Sequence, residues 1–427
     1  MRMTNRVPRM GRGEIKSIGG TMFGFKEKSG RTGLRAAVLA GATVGAIALG
    51  GLGASSASAC STAVHGEGSS LQKTAQISVW NPKFGETAEG CAVTYTSSGS
   101  GAGLKAWGAN GGTFNNATDQ FIGTDDAPFG PAGTAGTQLN EMTGAIGSNV
   151  AVVPVTQTAI AIMAHPPTGC TVLFITPAEL EKILSGEITS WDQLANIVEI
   201  PKGACKAPIT RVVRKDGSGT SYQLKHFLDT VRTAGSGGAL PCIGGSWAGL
   251  QPNSGTPNPN TTWPEGCGLS SVEKVEGGGG LATFVNANEG TIGYAALPDA
   301  EAKASTWVEE VDNGVEPVSP AAGGNANCAG ASYGELPVGA ENADWSQVYG
   351  SNPEVGGTTY PICTLTWDVA AVNSTAVFSA GTAASVKGYL TYVIAEAGGQ
   401  ADVSGNFYAA LPGEVAEAAE AAVATIH

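Results

Sequence analysis

Short segments of strand type alternate along this chain with segments of helix type. Ile77-Ser78-Val79-Trp80, Val93-Thr94-Tyr95, 150–155, 160–163, 209–213, 291–294 and 363–369 are rich in β-branched and aromatic residues and predict strands. Between them, Pro177 to Leu184 predicts a helix with Thr176 as its cap. Ser221 to Val231 predicts another, since Tyr222, Leu224, Phe227, Leu228 and Val231 fall on one face. The tail from Gly413 to Ile426 reads as an Ala- and Glu-rich helix with Val415, Ala418, Ala419 and Ala422 on one side. Alternation of this kind implies an α/β class. Two stretches, 234–266 and 319–352, lack periodicity but contain cysteine, and read as stapled surface loops rather than linkers. No repeat of fixed period is visible.

Composition sharpens this picture at the N-terminus. With 427 residues and 42% apolar content the chain can bury one large core or two ordinary ones, and its apolar runs argue against wholesale disorder despite 63 glycines. The first 59 residues carry nine Lys or Arg against two acidic residues, then an uncharged run from Ala36 ending in Ala57-Ser58-Ala59. Basic head, apolar middle and small-residue end form an export signal, already complete from Met22 onward. A retained membrane anchor is the alternative, but the run is Gly-rich and interrupted, a poor permanent span. Beyond residue 59 there are 14 basic and 34 acidic residues, a net charge of −20. That balance excludes nucleic acid as a partner, and any anionic ligand must be held by local geometry and dipoles.

All eight cysteines lie in the exported part: Cys60, Cys91, Cys170, Cys205, Cys242, Cys267, Cys328 and Cys363. None has CxxC spacing, so a zinc ribbon or thioredoxin-type site is not expected. Four disulfides between nearest neighbours are the expectation, with lipid attachment at Cys60 as the alternative. The four histidines show no metal-ligand spacing, and no cofactor is expected.

Three clusters of glycine and hydroxyl residues stand out: 66–70, 97–103 and 216–221. The last two run directly into helix-type sequence. Glycine lets backbone amides approach a ligand and a helix start presents unpaired N–H groups, so both could cradle an anion; taken singly, each also reads as an ordinary turn with a cap. Neither completes a nucleotide loop, and there is no GxSxG elbow.

The order of these segments resembles the phosphate-binding proteins of bacterial phosphate ABC transporters over nearly the whole exported chain. The resemblance is carried by Gly66-Glu67-Gly68-Ser69-Ser70-Leu71, Gly99-Ser100-Gly101-Ala102-Gly103, Gly123-Thr124-Asp125-Asp126-Ala127-Pro128, Ile183-Leu184-Ser185-Gly186-Glu187-Ile188 with Trp191-Asp192, the run from Val212 to Ser221, and Gly290-Thr291-Ile292-Gly293-Tyr294. It implies a two-lobed periplasmic-binding fold with mixed sheets flanked by helices, lobe one taking 62–156 and 300–427, lobe two 157–299. It implies further that Ser70, Ser100, Ser218 and Thr220 offer hydroxyls to phosphate, and that Leu71, Gly219 and Thr220 offer amides. Arg214 would supply a charged fork held by Asp216, and Asp126 would accept the ligand's O–H, which sulfate lacks. Ser70 stands where the family carries threonine and Leu71 where it carries an aromatic, while Glu67 and Asp125 add carboxylates. The implied partners are inorganic phosphate and the permease subunits of an ABC transporter, in the periplasm or at the cell surface, with a monomer expected and membrane association only through the transporter or a lipid on Cys60. The rival readings are a binder of another oxyanion or phosphorylated solute, and an extracellular phosphohydrolase. An enzyme is not expected, because neither a nucleophile with its base nor a metal cluster is present.

Overall fold

The computed structural model describes residues 62–427 apart from 116, 236–239, 241–246, 248–260, 265–271 and 304–306. The export signal, Cys60, Cys242, Cys267 and much of the 234–266 loop lie outside the described residues. No helix among the described residues is long and apolar enough to cross a membrane.

Eight strands form the main line of one mixed sheet: β1 (Val64–Gly68), β2 (Val93–Thr96), β3 (Phe121–Thr124), β4 (Val150–His165), β5 (Thr210–Arg214), β6 (Val272–Val275), β7 (Thr291–Ala296) and β8 (Cys363–Ala371). Their order is β2-β1-β3-β8-β4-β7-β5-β6. The outer strands on each side pair in parallel, and the central ones are antiparallel.

β4 explains the architecture. Its first part, Val150 to Ala159, pairs with β8, and Ile160 to His165 pair with β7. Val150 to Val155 belong to one hydrophobic core and Ala159 to Ala164 to a second. Between the cores stand three buried polar residues, each tied to the 407–410 segment. Thr156 donates to the Ala409 carbonyl at 2.9 Å, Gln157 to that of Ala410 at 2.7 Å, and Thr158 to that of Phe407 at 3.1 Å. The strand therefore satisfies its buried side chains where it passes from one core to the other. The expectation of two strands, 150–155 and 160–163, becomes one strand with a polar middle.

Segment 77–80, expected as a strand, is π-helical from Ala75 to Trp80. Ala75, Gln76, Val79 and Trp80 are buried at helical spacing, while Ile77 is 44% exposed. Packing of that face overrides β-propensity. The expected helices form: Pro177–Ser185 starts in a capping box between Thr176 and Glu179, Gly219–Ala234 has Ser218 as its cap, and the last is Gly413–Ala424.

Cys170 pairs with Cys205 and Cys328 with Cys363, both nearest neighbours as expected. Cys91 is also disulfide-bonded, to a partner outside the described residues.

Burial raises Asp126, Glu309 and Asp368 to about 8. Asp368, at the middle of β8, accepts from Gln76 Nε2 at 3.1 Å. A carboxyl raised on folding stabilises fully below its unfolded pKa of about 4, and this contribution is lost as pH rises to the folded value. Thermal stability is therefore expected to fall from pH 5 to pH 8, and Asp368→Asn to flatten that decline in a melting series.

Candidate functional site

Four chain segments bring their polar ends together where the two cores meet. The first is the turn after β1, carrying Ser69 and Ser70. The second is the start of the short helix Ser100–Ala106. The third is the loop after β3, with Asp125 and Asp126. The fourth runs from the end of β5 into the helix Gly219–Ala234. The cap Ser218 places Gly219 and Thr220 in that helix's first turn, against Ser100 and the 125–126 backbone. The backbones meet directly: Gly101 N donates to the Gly217 carbonyl at 3.1 Å.

Asp125 lies at the centre, 1% exposed. Its Oδ1 accepts from Ser69 Oγ and from Thr366 Oγ1 (3.0 Å), its Oδ2 from Thr220 Oγ1 (3.1 Å) and, at 3.4 Å, from Ser100 Oγ. Burial raises its pKa, and the hydroxyls of Ser69, Thr366 and Thr220, together with Arg214, oppose the rise. Arg214 is 2% exposed; its Nε donates to Asp216 Oδ1 at 2.8 Å and its Nη2 pairs with Asp216 Oδ2. Nη1 faces the start of the helix Gly278–Ala287: a Cβ at Gly278 would stand 3.7 Å from it and 3.2 Å from Ser70 Oγ. Gly278 N donates to Ser70 Oγ at 3.3 Å.

Among the residues expected to form the site, Ser70, Ser100, Arg214, Gly219 and Thr220 are thus gathered, with Asp216 gripping Arg214. Three others differ. The Ser218 hydroxyl caps its helix by accepting from Ser221 N at 3.2 Å. The Leu71 amide donates to Ser69 Oγ at 3.0 Å. Asp126 turns away from the hydroxyls: its Oδ1 accepts from Thr124 at 2.9 Å, and its Oδ2 is buried without a partner. Behind Asp126, the 1% exposed Lys225 donates to the Thr262 carbonyl at 2.8 Å, and burial brings its pKa down to about 7. The carboxylate that the hydroxyls of Ser69, Ser100, Thr220 and Thr366 meet is Asp125. Ser69, part of the 66–70 cluster, also bonds Asp125, and Thr366 and the run Gly277 to Gly280, absent from the expected residues, stand beside them. Thr366 lies some 240 residues from Asp125 in sequence, and only the β3–β8 pairing brings it near. The glycine run at 277–280 was a local signal that could have found the third wall.

Among the described residues, no group of three or more His, Cys, Asp or Glu could hold a metal ion. A buried arginine, hydroxyls and a carboxylate acceptor where two cores meet define a binding protein of two lobes, built to enclose a small polar ligand.

The chain belongs to the PBP superfamily: residues 53–397 match the family model described as the PBP superfamily domain. Solved structures share its fold. One is a high-affinity periplasmic phosphate-binding protein, PfluDING, bound with phosphate. It is 20% identical, covers 83% of this chain and 92% of its own, and has a TM-score of 0.59. A phosphate-binding protein from Stenotrophomonas maltophilia is 22% identical over 84% and 93%, with a TM-score of 0.58. A human phosphate-binding apolipoprotein is 21% identical over 84% and 93%, with a TM-score of 0.60.

Proposed function

We propose that this protein is exported, captures inorganic phosphate between its lobes without turning it over, and hands it to the permease of an ABC transporter. The observation that carries this reading is the convergence of the Ser69, Ser100, Thr220 and Thr366 hydroxyls on one buried carboxylate, Asp125, within the field of the buried Arg214. Arginine and hydroxyls alone would suit any oxyanion. A carboxylate among them suits only an anion that still has an O–H to donate, because sulfate would meet like charge with no proton to bridge the two oxygens. The fold neighbours named for phosphate support the same ligand.

In this reading Asp125 accepts the phosphate O–H, and Asp126 stands behind it. Arg214 binds the anion while Asp216 orients it, and the N-terminal turn at Gly219 and Thr220 offers amides and a dipole. The lobes follow the two cores. Against the expected division, 62–156 with 300–427 against 157–299, Leu71, the buried apolar residues from Ala300 to Cys328, and Tyr360, Ile362 and Cys363 pack with the second core. Ligand bridging the lobes stabilises the closed state, which the transporter would recognise.

Calorimetric titration tests this directly. Phosphate-stripped protein is expected to bind phosphate and give no heat with sulfate. Asp125→Asn should admit sulfate and weaken phosphate, while Asp126→Asn keeps the discrimination. Absence of phosphate binding by folded protein would overturn the assignment. Lost discrimination in the Asp126 variant alone would return the acceptor role to that residue.

A further inference from the structure

Asp299, in the short helix Leu297–Glu301, is 8% exposed and uses half of its carboxylate. Oδ1 pairs with Lys73 Nζ at 3.2 Å, whereas Oδ2 is buried with no hydrogen-bond partner. The free oxygen is directed at the start of the helix Gly278–Ala287. The Cβ position at Gly278 that stands 3.2 Å from Ser70 Oγ and 3.7 Å from Arg214 Nη1 is 3.4 Å from Asp299 Oδ2. An acceptor buried beside an anion-binding arginine, and left unpaired, is costly unless a ligand donates to it.

We propose that Asp299 is a second acceptor for the ligand, so that with Asp125 the site receives an anion carrying two hydroxyl protons, the monobasic form of phosphate. The proposal rests on the phosphate reading above. Asp299 is faced by Lys73 from the turn after β1, by Arg214 from the end of β5, by the helix start at Gly278 and Gly279, and by the Tyr408 hydroxyl, which itself donates to the Leu71 carbonyl at 2.7 Å. Asp216 and Asp125 lie around Arg214, and Asp126 and Lys225, which burial brings to about 8 and about 7, stand behind Asp125 and are common to every variant compared. Arg214 keeps Asp299 compatible with a monoanion. A dianion would have only one O–H for two carboxylates and would add a further negative charge.

The proton balance follows. Above neutrality free phosphate is mainly dibasic, so binding the monobasic form takes up one proton. Below neutrality the ligand already carries that proton and none is taken up. The dissociation constant of the unmodified protein should therefore rise by up to about tenfold per pH unit above neutrality. Calorimetry at pH 6 and pH 8, in buffers of differing ionisation heat, reads both the slope and the proton uptake. Asp299→Asn, whose amide can donate, should flatten the slope and abolish the uptake. Lys73→Met breaks the ion pair but keeps the acceptor, and should leave both in place. Asp299→Ser provides the same comparison should the Asn variant not fold.

Equal, pH-independent losses in the Lys73 and Asp299 variants would mean that the ion pair only holds the lobes together, and would overturn the proposal. So would an unmodified protein that binds phosphate without taking up a proton at pH 8. An unmodified protein that binds no phosphate at all would instead remove the reading on which the proposal rests.

Discussion

Arg214→Met is expected to weaken phosphate binding by at least about 10², on the order of 3 kcal/mol, because it removes the charge-assisted hydrogen bonds of a buried cation and leaves its carboxylate partner uncompensated. Arg214 is 2% exposed, with Nη1 3.7 Å from the Cβ position of Gly278 and Nη2 3.6 Å from that of Gly99. With methionine there, Asp216 keeps its bond from Gly277 N (2.9 Å) but has lost its cation, and it then repels the incoming anion. Lysine should restore only part of the loss, since a single ammonium cannot both fork onto Asp216 and reach the ligand. Titration calorimetry on the three proteins checks this, with melting curves to show that each is folded. Phosphate affinity in the methionine variant within a few-fold of the unmodified protein would place the anion elsewhere.

The sequence and the structure agree best where a signal is local. The Arg214-to-Ser221 run states its own conformation: a strand end, a glycine turn, a serine cap and an amphipathic helix, each legible from residue type and spacing. The helix cap at Thr176 is equally local. What failed to be read depends on contacts between distant segments. Nothing in Asp125-Asp126 tells which carboxylate meets the hydroxyls, because that is decided by Ser69, Ser100, Thr220 and Thr366 arriving from four other places in the chain. Val64 to Gly68 and Phe121 to Thr124 were missed as strands because they are short, and glycine interrupts their apolar pattern. Their burial comes from neighbours on both sides of the sheet.

The two adjacent carboxylates, in the bend that follows β3, take different environments. Asp125 meets hydroxyls and Arg214, while Asp126 meets Thr124, Tyr222 and Lys225. Burial pushes Asp126 up to about 8, so near neutrality it is largely protonated and adds little charge to the space where an anion would enter. Two neighbouring acids are thereby compatible with an anion site.

Closure itself should depend on Gly219. A Cβ there would lie 2.7 Å from Asp126 N, 2.7 Å from Ser100 Oγ and 2.8 Å from the carbonyl carbon of Asp125. Two of these three are backbone atoms of the opposing segment, which cannot yield as a flexible side chain would. Gly219→Ala should therefore hold the lobes apart at the ligand, at an overpacking cost of roughly 1–3 kcal/mol, or up to about 10² in phosphate affinity. The same substitution places alanine in a helical turn where glycine is the poorer residue by roughly 0.5–1 kcal/mol, so the ligand-free protein should lose no thermal stability. The distinguishing result is a variant that melts at least as high as the unmodified protein, binds phosphate weakly, and remains extended by small-angle scattering when phosphate is added. If it instead binds with unchanged affinity, the contact between Gly219 and the 125–126 backbone is not part of the closed, liganded state. The route of closure would then have to be sought along the Gly101–Gly217 contact.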